Sequence, residues 1–179
     1  MSTINVPTRD EVSPANQAIF DNLKSSLGTV PNLYATLAHS ETALGNYLAF
    51  QNAKSSITGK AREVVNLVVS QVNSCEYCLA AHTVIGKMNG FTDEEILEIR
   101  SGNASFDAKL NALARLAQSI AVNRGHAEEA AVDAFFSAGW TKANLVDVIV
   151  VIGDKIVTNY LHGVTRVQVD FPAAPSLSA

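Results

Sequence analysis

Both cysteines of the chain, Cys75 and Cys78, form a Cys-x-x-Cys pair, and His82 follows Cys78 by four residues. Residues three, four and seven apart share one face of a helix, so these three side chains can converge on one spot. A thiol is a nucleophile only as thiolate, and a Cys-x-x-Cys near a helix start is where thiol pKa falls. His82 has the chemistry of a base or proton carrier near neutral pH. Glu63 lies twelve residues before Cys75. On an antiparallel helix it returns to the same spot and can orient His82, as a third group commonly orients a base. Two rivals use the same residues. Zinc would take Cys75, Cys78 and His82 as three ligands. The chain offers no second Cys pair and no His pair at ligand spacing, and His39, His126 and His162 are scattered. A thioredoxin-type site needs a strand ahead of the motif, whereas the flanking sequence reads as helix. The residues therefore predict a redox dithiol, with neither metal nor bound cofactor.

The elements that must position these residues are helices. Val64, Val65, Leu67, Val68, Val69 and Val72 are β-branched enough for a strand. The run is long, has no internal turn residue, and spaces Asn66, Ser70 and Gln71 as a helix would, so a helix starting at Thr58 is predicted. Asn73-Ser74 breaks it, and Ser74 is expected to cap a helix from Cys75 to about Asn89-Gly90, whose N-terminal dipole favours a thiolate. Ser13-Pro14 opens a helix that stops at Gly28. Pro31 opens a short piece to Leu37, and Ser40 is expected to cap a helix over about 41–55. Thr92 to Glu95 is a capping box for a helix to Ser101-Gly102. Further helices are expected from Phe106 to Arg124, Ala127 to Ala138 and Thr141 to about His162. The aliphatic run Leu145 to Ile152 is apolar on nearly every side, which predicts full burial in the core or between subunits. It is too short to cross a membrane before Asp154 and Lys155 interrupt it. Thr141 to Ile152 faintly echoes Thr58 to Val69. The prediction is an all-α chain of about eight helices and no strand, a single domain over 1–179 with irregular ends at about 1–12 and 165–179.

The run Arg62-Glu63, Ser70, Asn73, Cys75, Tyr77, Cys78 and His82 resembles the signature of the alkyl hydroperoxidase D-like (AhpD-like) proteins of the carboxymuconolactone decarboxylase superfamily. Asn159 to His162 and Asp170 to Pro172 are similar to tails of that family, and Val30 to Tyr34 to a segment near its start that helps cover the active site. Leu33 and Tyr34 thus join the pocket candidates, beside a plain packing role. The resemblance implies an AhpD-like helical bundle and a thiol-dependent peroxidase with Glu63, Cys75, Cys78 and His82 in its machinery, and Tyr77 either there or in a structural role. It implies that Cys78 attacks the hydroperoxide, with Cys75 the more exposed partner for an external dithiol or disulfide-reductase donor. Spacing alone leaves open which cysteine attacks. A disulfide-exchange partner of another peroxidase, or a decarboxylase-type enzyme or binding module using the same pocket, remain as alternatives.

The chain of 179 residues is 47% hydrophobic and only 17% charged, with a net charge of −4. So little charge predicts more buried surface than a monomer offers, hence a homo-oligomer. The negative balance disfavours a nucleic-acid partner. Met1 to Asp10 has no basic start followed by an apolar run, so no secretory leader and a cytoplasmic location are expected.

Overall fold

A computed structural model describes residues 2–177. Among them are nine α-helices, a short 3-10 turn at Arg9–Glu11, and no strand. The helices are α1 Pro14–Leu27, α2 Asn32–Leu37, α3 Ala43–Gln51, α4 Gly59–Val72, α5 Glu76–Met88, α6 Asp93–Arg100, α7 Ala108–Val122, α8 Glu129–Ser137 and α9 Lys142–Thr165. The helical class and nearly every element agree with the sequence. The ninth is α2, the short piece after Pro31.

Local chemistry explains most boundaries. Ser13 accepts from the Asn16 amide at the start of α1, and Gly28 ends it at φ 79°. Thr92 and Glu95 form the expected capping box of α6. Three starts differ. α3 begins at Ala43, whose amide donates to the Ser40 hydroxyl across the turn that precedes the helix. α7 begins at Ala108, since Asp107 accepts from the amides of Lys109 and Leu110. Ser74 does not cap α5: it takes a left-handed turn, φ 52°, and Cys75 itself is the N-cap.

The chain packs as two compact units. One takes the residues up to Lys54 and Leu161–Asp170; the other takes Ser55–Tyr160 and the segment from Phe171. The first has a core of Val12, Phe20, Ala35, Ala38 and Leu44. Buried Asn16 donates there to the carbonyls of Ala38 and Ser40. The second unit is built on α4, which packs against α5, α6 and α7. Every residue from Glu63 to Ser70 is buried. Val148, Val151 and Ile152 of α9 join the same core. A central helix surrounded by others is apolar on all sides, which is why a valine-rich run is helix here: packing overrides β-propensity.

Within the single chain the other aliphatic helix is not enclosed by the core. Val146, Ile149 and Val150 of α9 are 60%, 52% and 42% exposed, so its run is covered on one face only.

Candidate active site

The site lies in the second unit, where α4, α5 and α9 each contribute side chains. α4 and α5 join through the tight turn at Asn73-Ser74, with the Cys75 amide donating to the Ser70 carbonyl at 2.9 Å. That hairpin returns Glu63 to the level of His82. Glu63 Oε2 accepts from His82 Nδ1 at 2.8 Å, and Glu63 Oε1 accepts from the Asn66 side-chain amide at 2.8 Å. Both acid and imidazole are buried. The antiparallel hairpin inferred from spacing is therefore present, and Glu63 holds the ring as expected.

The other imidazole nitrogen meets a residue the sequence reading passed over. Lys155 of α9 is 3% exposed, and its Nζ lies 2.9 Å from His82 Nε2. A carboxylate on Nδ1 fixes the Nδ1–H tautomer and leaves the Nε2 lone pair to accept from the ammonium. Burial first, then the Lys155 charge, holds the His82 pKa below its usual value, so the ring is neutral. Burial pushes the Glu63 carboxyl up. His82, the Asn66 amide and Lys155 together outweigh it, and Glu63 stays below the usual carboxylate range. Beside this line, Arg62 pairs with buried Asp154 at 3.2 Å. Among the described residues no hydrogen bond joins His82 to either thiol.

The two thiols are buried alike, so Cys75 is not the more exposed of the pair. They have opposite electrostatics. Cys75 sits at the helix start, where the Cys78 amide donates to its Sγ at 3.4 Å. That one long contact favours its thiolate only weakly. Its hydrogen bond to Cys78, followed by burial, keeps Cys75 well above the ordinary thiol range, as the protonated donor of the pair. Cys78 is lowered to about 7: first by that hydrogen bond from Cys75, then, against burial, by the Lys155 charge and by the side chains of Asn159 and Thr158. The Lys155 charge and the Thr158 side chain favour the Cys78 thiolate, whereas Asn159 bears on both sulfurs. Lowered to about 7, Cys78 is about half ionised at neutral pH, while Cys75 stays the thiol.

Tyr77 is buried and meets Phe171 edge to face, ring centroids 5.6 Å apart. Leu33 and Tyr34 belong to the other unit, where Tyr34 donates to Gln51 and packs against Tyr47. His39 bonds the Asn5 carbonyl, and His162 lies 3.2 Å from the Val167 carbonyl. Among the described residues no group of three or more His, Cys, Asp or Glu is placed to hold a metal ion. No helix of the described residues is long and apolar enough to cross a membrane.

The residues that sequence reasoning did not place at the site are all on α9: Lys155 and Thr158, with Asn159 noted only in a family-like tail segment. A signal was available. The buried face of α9 runs Val148, Val151, Ile152, then turns polar at Asp154, Lys155, Thr158 and Asn159. Charged residues in the middle of a buried stripe are rare unless paired or functional.

Comparison with known proteins bears on the fold and on the motif-bearing stretch. The carboxymuconolactone decarboxylase family matches residues 36–119, which include Glu63, both cysteines and His82. No curated protein matches the chain. Among solved structures, an uncharacterized peroxidase-related protein from Silicibacter sp. TM1040 superposes with a TM-score of 0.82 at 24% identity, over 93% of this chain and 91% of that one. An alkylhydroperoxidase AhpD core protein from Ralstonia eutropha JMP134 gives 0.84 at 19% identity, over 94% and 92%. The debrominase Bmp8, solved as a cysteine-to-alanine variant in complex with 2,3,4-tribromopyrrole, gives 0.76 at 12% identity, over 95% and 94%. The family match thus spans the motif-bearing helices, and the fold is similar to that of the AhpD-like, peroxidase-related structures.

Proposed function

We propose that this protein is a thiol-dependent peroxidase. The observation that carries the reading is a buried Cys-x-x-Cys pair at the start of α5, on the helix whose His82 is held between Glu63 and Lys155, with the Cys78 thiol lowered to about 7. The Cys78 thiolate attacks one oxygen of a hydroperoxide. An S–O bond forms, the O–O bond breaks, and the departing alkoxide or hydroxide takes a proton. The sulfenic acid at Cys78 then condenses with the Cys75 thiol, releasing water and leaving a Cys75–Cys78 disulfide. An external dithiol reduces that disulfide by exchange and is itself oxidised to a disulfide. Glu63, His82 and Lys155 form one hydrogen-bonded line, and the leaving oxygen takes its proton from that line. Tyr77, packed on Phe171, supports the helix that carries both thiols.

The test is peroxide consumption by purified protein with a small dithiol and no second protein, using hydrogen peroxide and an organic hydroperoxide. Turnover that needs both cysteines supports the reading. No consumption, with normal reduction of the disulfide, would leave an electron carrier to another peroxidase. Activity that survives replacement of both cysteines would point to the decarboxylase class.

The working form proposed is a homo-oligomer. Val146, Ile149, Val150, Val157 and Tyr160 make an exposed stripe along α9 at helical spacing, with open space at Gly153 within it. A second copy seated there would bury the aliphatic surface that a lone chain leaves wet. Light scattering at micromolar concentration should give a multiple of 19.0 kDa, and Ile149→Asp should reduce it to that mass. A monomer in the unaltered protein would end this part of the proposal.

A further inference from the structure

We infer that Lys155 is the positioning residue of this centre: its ammonium, fixed by His82 Nε2, supplies the positive charge that holds Cys78 as thiolate, so that His82 anchors a cation rather than taking the thiol proton. The inference rests on the reading of Cys75 and Cys78 as a redox pair.

Three observations carry it. First, both imidazole nitrogens of His82 are engaged, Nδ1 by Glu63 and Nε2 by Lys155. For Nε2 to accept the thiol proton, Lys155 would have to leave. Second, a lysine nearly sealed from solvent is held in place only where anionic or lone-pair partners surround it. Lys155 meets a lone pair at His82, while Asp154, the carboxylate next to it in sequence, is paired with Arg62. Third, Lys155, Thr158 and Asn159 lie on one face of α9, at the spacing that aims them together. His82 lies one turn beyond Cys78 on α5, so an ammonium at its Nε2 lies on the face of α5 that carries this sulfur, and its charge favours the thiolate.

The charged and titratable groups around Cys78 are Cys75 and His82 on α5, Glu63 and the Arg62–Asp154 pair at α4 and α9, and Lys155. Glu63 and Lys155 neutralise each other through the ring. Ionising Cys78 therefore makes two anions share one cation. Removing Glu63 should free the ammonium for the sulfur. The sign is opposite to that of a His82 general base, which would lose its orienting group.

The experiment is the pH dependence of alkylation of the reduced, full-length protein by iodoacetamide, with circular dichroism to check the fold. Wild type should show a midpoint near 7. Lys155→Met should move the midpoint up and slow alkylation at pH 7 by roughly five-fold or more, the change from about half ionised to about a tenth. Lys155→Arg should stay nearer wild type than Lys155→Met. Glu63→Gln should move the midpoint down. If Lys155→Met does not fold, the direction of Glu63→Gln decides. The inference is overturned if Lys155→Met titrates like wild type, or if Glu63→Gln raises the midpoint. Alkylation needs no peroxide, so the two readings fail separately. A normal set of shifts in a protein that consumes no peroxide overturns the peroxidase, and peroxide consumption without the shifts overturns the role of Lys155.

Discussion

Two valine-rich helices, α4 and α9, meet at the dithiol, and they are built on opposite plans. α4 is enclosed: Val64, Val65, Leu67, Val68 and Val69 are fully buried, and Glu63 is sealed among them. α9 is one-sided. One face joins the core through Val148, Val151 and Ile152, then carries Lys155, Thr158 and Asn159 to the site, while Val146, Ile149 and Val150 face outward. The difference shows that an aliphatic run fixes neither how deep a helix lies nor what it does. The polar residues that interrupt the run decide both. Glu63 and Asn66 interrupt α4 where it meets α5, and together with Lys155 they place an acid and a cation on either side of one imidazole.

The sharpest way to break the comparison is to remove what the two helices serve. Cys78→Ser and Cys75→Ser should each abolish multiple turnover, since each removes half of the disulfide. Steady-state peroxide consumption with a dithiol checks this, and turnover by either variant would contradict it.

The next effect concerns enclosure. Leu67→Ala on α4 should destabilise the protein by about 2–5 kcal/mol, because the cavity has no route to collapse. Val146→Ala on α9 should cost less than about 0.5 kcal/mol in the dissociated chain. Urea unfolding at low protein concentration compares them, and equal losses would show that the two helices are buried alike.

A smaller effect lies in the pH dependence of stability. His82 is depressed below its ordinary value by burial and by Lys155, so the unfolded chain binds its proton first as pH falls. Stability from this group is fully present above the unfolded value of about 6.5 and declines below it. Cys78 is depressed to about 7, so for the reduced protein it adds stability as pH rises from about 7 toward the unfolded thiol value of about 8.5. Cys75, raised above that value, begins to oppose it at higher pH. His82→Gln should flatten the acid side of a stability profile and leave the alkaline side in place. A profile with the same acid slope in this variant would rule out a neutral buried ring.

Much of this was legible in the sequence. Cys75, Cys78, His82 and Glu63 converge because helical spacing and a two-residue break are local properties. The helix starts that failed, at Ser40 and Ser74, failed because a hydroxyl can bond ahead of a helix and a serine can turn left-handed, and composition distinguishes neither. Lys155 was visible only as an interruption of an apolar run. Its meaning depends on a contact across 73 positions of sequence, and no periodicity within α9 reports that. The relative exposure of the thiols was equally out of reach, since burial is set by everything packed around them.

The measurement that bears most directly on the whole account is single-turnover oxidation at pH 7 with one equivalent of hydroperoxide, trapping any sulfenic acid with a dimedone-type reagent and locating it by mass. The account predicts that Cys75→Ser accumulates a trapped adduct on Cys78, and that Cys78→Ser leaves Cys75 unoxidised over the same time. An adduct on Cys75 in Cys78→Ser, with Cys78 unreactive in Cys75→Ser, would contradict it.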